Sequence, residues 1–324
     1  MEKGLHCKWM ALLFAALCIP VSFGMGNLSQ SNSMAQAMKN AFGVSPKVTG
    51  AAAAILIGII LLGGIKRIAA VTEKLVPIMA ILYLTAGCAV ILINIRRLPQ
   101  AVGGIISEAF SIRSAIGGTA GYGMARALRT GVSMGVFSNE AGLGTSVIVH
   151  CDADVKEPVE QGMWGIFEVF IATLSVCSIT ALVILTSGVY QEDAALLAIQ
   201  SGTVTSAMVG APLSAAAFST VFGRFGVVFV AACLLLFAFT SLLGSSYYGE
   251  RGLQYLTGTD RWRWPYRAAF LLAVVAGSVG DVAVVWQLAD IFNGLMALPN
   301  LCALLLLSPE ALGLLNGWMA VRTD

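Results

Sequence analysis

Residues 137–144 read Phe-Ser-Asn-Glu-Ala-Gly-Leu-Gly, and the rest of the chain must fold so that the polar groups of this stretch are accommodated. It places a carboxylate, an amide, a hydroxyl and two glycines inside a mostly apolar sequence. A charged side chain at the centre of a bilayer costs at least about 2.5–3.5 kcal/mol, so Glu140 should be buried in protein or line a wet cavity. The glycines at 142 and 144 predict that the helix is interrupted there.

An interrupted helix of this kind has a known chemical use. Broken helices expose unpaired backbone groups and half-helix dipoles near the bilayer midplane, where secondary transporters bind the charged ends of a substrate or its coupling ion. The alternative is a glycine-rich seam for helix packing, with one glutamate that reaches toward the interface. We expect Glu140, Gly142 and Gly144 to have a structural role at the break, with proton or sodium coupling as the alternative for Glu140.

The composition defines the class of protein. Of the 324 residues 58% are hydrophobic and only 11% are charged, which excludes a soluble globular domain and indicates a polytopic all-α membrane protein. The net charge of +2, without a basic stripe, predicts no nucleic-acid partner. Two histidines and seven scattered cysteines offer neither a disulfide framework nor a metal site, and there is no Walker loop. We therefore expect neither an enzyme nor an organic cofactor.

Asp281 and Asp290 leave one enzymatic alternative open, an intramembrane aspartyl protease. Gly280-Asp281 lacks the second glycine of the usual GxGD signal, and such partial motif matches have a high false-positive rate.

Eight apolar stretches are interpreted as membrane spans, at about 20 residues per helix. The first continues into a polar half, residues 26–33, which leaves no lipid-facing stripe, so protein or water must surround it. Its basic start also imitates a secretory signal peptide, which the polar continuation without a clear cleavage site disfavours. Residues 266–307 are too long for one crossing and should turn at Gly280-Asp281. Within a single domain, 1–324, the predicted spans are 9–40, 48–64, 75–95, 127–149, 162–189, 225–248, 266–280 and 284–307.

Basic residues predict the orientation of these spans. An even number of spans puts both termini on one side, whose segments contain eleven Lys and Arg, against three on the other side when the long connection 95–130 is left out. The excess of basic residues predicts that both termini lie in the cytoplasm. The expected membrane is the inner, or plasma, membrane.

The motif at the break, together with its surroundings, resembles the alanine/glycine:cation symporter family, also called sodium:alanine symporters. The resemblance starts from Gly131-Val132 and residues 135–144, and it extends over nearly the whole chain. The other similar segments, in the same order, are Gly26-Asn27 with Gln30 and Asn32, 63–69, 76–80, His150, Pro158-Val159, Gln161-Gly162, 169–171, 246–250, Asp290 with 293–296, and Pro299-Asn300.

The resemblance implies a LeuT-type fold with two inverted five-helix repeats, and sodium-coupled uptake of alanine or glycine by alternating access. The spans of this chain look like core helices three to ten, so the repeat is expected to be incomplete at its N-terminus. The alternatives are a truncated, non-transporting homologue and one part of a split transporter that needs a separate N-terminal segment. Departures from the family pattern lie at Met134, Ser146-Val147 and Ala172.

An amino-acid substrate has an ammonium and a carboxylate, which backbone groups at a broken helix can bind. Ser138 and Asn139 are predicted as polar contacts, and Phe137 is predicted to pack against a small side chain. Gln30 and Asn27 lie three residues apart, so both are expected to face the same cavity and contact the substrate. The alternative for all of these polar residues is ordinary hydrogen bonding between helices.

Sodium, the expected coupling ion, is a hard cation that prefers several oxygen ligands. The adjacent hydroxyls of Thr240 and Ser241 resemble the pair that LeuT-type carriers use on the corresponding helix. Their alternative role is helix packing, in which adjacent Thr and Ser are common. The expected partners are therefore alanine or glycine, sodium and the lipid bilayer, with no metal beyond sodium.

Overall fold

The computed structural model describes residues 1–109, 118–140, 142–190, 210–280 and 282–323, and every regular element in these ranges is a helix. Side chains are described for the same residues except 108–109, 118–127, 137, 282–289 and 322–323. The predicted all-helical class is confirmed. The main helices are α1 (Lys8–Phe42), α2 (Pro46–Leu61), α3 (Gly64–Ile93), α4 (Leu98–Ala109), α5 (Gly118–Asn139), α6 (Thr145–His150), α7 (Pro158–Ser187), α8 (Gly210–Phe222), α9 (Arg224–Thr257), α10 (Arg263–Val279) and α11 (Val282–Thr323).

Helix length and apolar composition indicate a multi-pass membrane protein. Within the described ranges, five helices are long and apolar enough to cross a bilayer: α1, α3, α7, α9 and the segment Asp290–Val321 of α11. The predicted spans 48–64 and 266–280 correspond to α2 and α10, which are shorter than these five helices. The predicted span 127–149 corresponds to α5 and α6, which are separated by an interruption. The LeuT-type inverted repeat and the count of eight crossings remain predictions.

The polar half of α1 is buried in protein, as its sequence predicted. Asn27, Ser29 and Asn32 are almost fully buried, and a π-helical turn, Gly24–Ser29, interrupts the α-helix at this level. Asn27 Nδ2 donates to the carbonyl of Phe270 at 2.8 Å, and Asn32 Nδ2 donates to two carbonyls near the end of α10 at 2.9 Å. These buried amides therefore attach α1 to the backbone of α10.

Helix α9 is the central helix of the described bundle. It contributes to an apolar cluster with α1, α2 and α10, and to a second cluster with α3, α7 and α8. Glycines allow it to approach α1 closely, since a Cβ on Gly26 would lie 2.2 Å from Ser245 and a Cβ on Gly252 would lie 2.8 Å from the Ala15 carbonyl oxygen. The side chains of α9 near Ser245 are thus held directly against α1.

A buried ion cluster connects the ends of three helices. Arg267 donates to both carboxylate oxygens of Glu250, from Nε at 2.7 Å and Nη2 at 3.2 Å, and to the carbonyl of Leu61 from Nη1 at 2.6 Å. The Arg263 Nε lies 2.8 Å from the same carboxylate. Because Leu61 ends α2, Glu250 lies on α9 and Arg267 lies on α10, the cluster fixes these three helices at one end of the bundle.

Replacing Arg267 by alanine should strongly destabilise the protein. The change leaves the buried Glu250 with Arg263 alone and the Leu61 carbonyl without its donor, and breaking a buried pair in this way costs about 3–5 kcal/mol. Unfolding in detergent, followed by intrinsic fluorescence, measures the loss. Arg261→Ala, at an exposed position close by in the chain, is the matched control and should leave unfolding unchanged. Equal stability of the two variants would show that the cluster does not hold the helices.

Candidate functional site

The helix that contains residues 137–144 is interrupted, as the glycines predicted. Helix α5 ends at Asn139 and α6 begins at Thr145. Between them Glu140, Gly142 and Gly144 have φ angles of 54°, 76° and 81°, in the left-handed region that favours glycine and is uncommon for other residues. The described residues of this segment therefore break the helical hydrogen-bond ladder and leave carbonyls at the end of α5 without helical partners.

Glu140 accepts hydrogen bonds at the break through both its side chain and its backbone. Its carboxylate accepts a hydrogen bond from the hydroxyl of Thr145, the first residue of α6. Its own carbonyl accepts the N–H of Leu143 at 3.1 Å. Side chain and backbone of Glu140 thus connect the end of α5 to the start of α6. The roles predicted for Glu140, structural or in ion coupling, stay predictions.

Asn300 of α11 supports the break from outside, and sequence reasoning assigned it no role. Its Nδ2 donates to the carbonyl of Gly142 at 2.9 Å. A Cβ on Gly144 would lie 2.5 Å from Asn300 Oδ1, and a Cβ on Gly142 would lie 2.8 Å from Leu301. Both glycines are therefore needed for φ and for the close approach of α11. The Pro299-Asn300 pair was noted only as part of the family resemblance.

A cavity of about 600 Å³ lies against the break, and we call it the break cavity. The predicted contacts Ser138 and Asn139 line it together with Glu140. Their side chains reach α7, where Ser138 Oγ lies 3.3 Å from Cys177 Sγ and Asn139 Nδ2 donates to Thr173 Oγ1 at 2.5 Å. The side chain of Phe137 lies outside the described residues. The remaining residues of the wall are Gly142, Gly144, Ser146, Val147, His150, Gly162, Gly165, Ile166, Glu168, Val169, Ala172, Tyr248, Asn300 and Leu304.

A second, much smaller cavity of about 40 Å³ lies between α1, α9 and the break, and we call it the small cavity. Its volume suits one water molecule or one monatomic ion. The predicted residues Gln30 and Ser241 line it, and Glu140 and Tyr248 line both cavities. The other residues of its wall are Cys18, Val21, Ser22, Met25, Gly26, Thr145 and Ser245.

Two predicted contacts lie outside both cavities. Asn27 is fully buried and donates to the Phe270 carbonyl, so it does not share a cavity with Gln30. The π turn Gly24–Ser29 explains the separation, because its wider ladder changes the angle between residues three apart. Thr240 donates to the carbonyl of Phe237 in its own helix at 2.9 Å and lines neither cavity. Of the two adjacent hydroxyls, the structure brings Ser241 alone to the small cavity.

The charged groups at the break cavity do not form a metal site. His150 Nε2 lies 3.3 Å from the carboxylate of Glu168, and both residues line the break cavity. Among the described residues, no group of three or more His, Cys, Asp or Glu side chains is arranged to hold a metal ion. Of the two protease candidates, Asp281 lies outside the described residues, while Asp290 is exposed and accepts a hydrogen bond from Ser133 at 3.4 Å.

Comparison with known proteins gives consistent results. The model of the sodium:alanine symporter family matches residues 1–324. The chain is 38% identical over 312 residues to the sodium/alanine symporter AgcS of Methanococcus maripaludis, which covers 95% of this chain and 65% of that protein. Two proteins of Bacillus subtilis are 39% identical, the putative sodium/proton-dependent alanine carrier protein YrbD over 315 residues and the probable sodium/glutamine symporter GlnT over 309 residues. These matches cover 96% and 95% of this chain and 64% and 61% of the relatives.

The chain thus spans less than two thirds of the length of these curated relatives. The matched family is one of membrane transporters, which confirms the predictions of a membrane transport protein and of a chain that is not an enzyme. The match over all 324 residues shows that the chain belongs to the sodium:alanine symporter family.

Proposed function

We propose that the protein carries a small neutral amino acid, alanine or glycine, across the membrane together with sodium. The observation that carries this proposal is the pair of cavities at the break, which share Glu140 and Tyr248. One has room for an amino acid and the other for a single ion. Occupants of two cavities that share walls affect each other's binding, and such coupling is what symport requires.

The break cavity offers groups for both ends of an amino acid. The last carbonyls of α5 have no helical partners and carry the negative end of the helix dipole, so they attract the ammonium group. Ser138 and Asn139 on the same wall contribute polar contacts, and backbone N–H groups freed by the break bind the carboxylate. The packing of Phe137 against a small substrate side chain stays a prediction from the sequence, because this side chain lies outside the described residues.

The small cavity offers oxygen atoms for the coupling ion. Ser241 and Ser245 contribute hydroxyls from α9, Gln30 contributes an amide from α1, and Glu140 contributes the negative charge. A hard monovalent cation prefers such oxygens. Thr240 and Asn27 are not part of this proposed site, because their side chains donate to backbone carbonyls elsewhere.

The membrane arrangement completes the proposal. We place the protein in the plasma membrane with both ends of the chain in the cytoplasm, on the strength of the basic residues between the spans. Helices α5 and α6, with the break between them, correspond to the sixth helix of a LeuT-type core, and transport proceeds by alternating access around this break. Sodium is preferred to a proton as the coupling ion because the small cavity contains several neutral oxygen ligands besides its one carboxylate.

Uptake into proteoliposomes tests this function directly. The natural full-length protein should accumulate labelled alanine or glycine when sodium is present outside, and should not do so when potassium replaces sodium at the same pH. Labelled glutamine, the substrate in the name of one relative, serves as the specificity control. Accumulation driven by a pH gradient alone would contradict sodium coupling, and absence of any sodium-dependent uptake by folded protein would contradict the function.

Two adjacent hydroxyl residues provide a matched test of the ion site. Ser241→Ala removes an oxygen from the small cavity, whereas Thr240→Ala removes a hydroxyl that donates to the Phe237 carbonyl. We expect Ser241→Ala to raise the sodium concentration for half-maximal uptake about tenfold, which corresponds to about 1.4 kcal/mol. Thr240→Ala should leave it within about twofold of wild type. The reverse order of the two effects would place the ion away from the small cavity.

A further inference from the structure

A third cavity, of about 750 Å³, adjoins the break cavity on the other side of α6, and we call it the inner cavity. It shares four wall residues with the break cavity: Gly144, Val147, Asn300 and Leu304. Its walls are mostly apolar, while charged and polar side chains occur at one end. The residues of that end are Glu2, Lys3, Asp152, Arg251 and Tyr255.

We propose that the four shared residues form the neck of a passage through which the solute leaves the break cavity, with Asn300 and Leu304 as its constricting side chains. This inference rests on the proposed function and adds the release route and the residues that control it. The neck combines polar groups, the Asn300 amide and the backbone at Gly144, with the apolar side chains of Val147 and Leu304. A small zwitterion with a short side chain matches both kinds of group.

The approach of α11 to the break brings the residues of the neck together. The Asn300 amide donates to the Gly142 carbonyl, and it lies so close to Gly144 that a Cβ there would be 2.5 Å from Oδ1. The same hydrogen bond that supports the break therefore places Asn300 between the two cavities. Any movement of α6 relative to α11 changes the width of the neck and the geometry of the break together.

The far end of the inner cavity faces a polar, half-exposed surface. Arg251 Nε donates to the hydroxyl of Tyr247 at 2.6 Å, and this hydroxyl donates to Asp152. The Arg251 and Asp152 side chains are 40% and 39% exposed, so water reaches this end of the cavity. Asp152 lies two residues after the end of α6, and Tyr247 precedes Tyr248, which lines the break cavity. The hydrogen bond between Tyr247 and Asp152 therefore connects the mouth of the passage to the wall of the break cavity.

Cysteine substitution at two neighbouring positions of α11 tests the passage. Leu304→Cys places a thiol at the neck, where Leu304 is 49% exposed. Leu305→Cys is the matched control at a position that is 75% exposed and lines neither cavity. A membrane-impermeant, positively charged methanethiosulfonate is added to one side of proteoliposomes, and peptide mass spectrometry follows each cysteine. The native Cys151, which lines the inner cavity, reports the side of the membrane.

We expect Leu304→Cys to react at least tenfold faster than Leu305→Cys, from the same side as Cys151, and its modification to block alanine efflux. Rates that do not differ, or reaction of Leu304→Cys from the opposite side only, would overturn the passage and indicate that the inner cavity is closed to water, for example by a lipid chain. Leu304→Trp is the second variant and should lower uptake at least tenfold while equilibrium alanine binding persists. Uptake at the wild-type rate in this variant would also overturn the passage.

The two proposals fail in different ways. Thiol reactivity requires only that water reaches the neck. It does not depend on transport, so it can be measured even if the unmodified protein carries no alanine. Absence of sodium-dependent uptake in the unmodified protein contradicts the proposed function. Normal uptake together with an unreactive Leu304→Cys contradicts the passage alone.

Discussion

A carboxylate within a bundle of membrane helices requires hydrogen-bond donors, and Glu140 finds one at the helix interruption that surrounds it. Its carboxylate accepts from Thr145 at the start of α6, and its carbonyl accepts from Leu143. The positive φ angles at Gly142 and Gly144 then allow α11 to approach until Asn300 donates to the chain at the break. The break cavity, the small cavity and the inner cavity all have walls at this segment, so their geometry depends on these contacts.

Helix α9 connects the site to the rest of the bundle. Ser241, Ser245 and Tyr248 line the small cavity. About one turn further along α9, Glu250 belongs to the ion cluster and Arg251 lies at the polar mouth of the inner cavity. The ion cluster fixes α2 and α10 to one end of α9, whereas Arg251 contacts Tyr247, Asp152 and Gln254 at a half-exposed surface. This contrast between a buried and a half-exposed contact means that one side of α9 is held more firmly than the other.

The sequence predicted what depends on local chemistry and composition. The helical class, the burial of the polar half of α1 and the interruption near Glu140 follow from hydrophobicity, amide content and glycine. The division between Gln30 and Asn27 was not predictable, because it depends on a π turn that no local pattern indicates. Asn300 was missed because its role comes from the approach of α11 to the glycines of the break, a contact between residues 158 positions apart.

The central claim is that the break couples the amino acid to the ion, and equilibrium binding measures that coupling most directly. The dissociation constant for alanine is determined at low and at saturating sodium in the full-length protein, in Thr145→Val and in Ser146→Ala. Thr145→Val removes the hydrogen bond to Glu140, whereas Ser146 is the neighbouring residue on the wall of the break cavity alone. We predict that sodium tightens alanine binding at least tenfold in wild type and in Ser146→Ala, and by less than threefold in Thr145→Val. Full coupling in Thr145→Val would contradict the account.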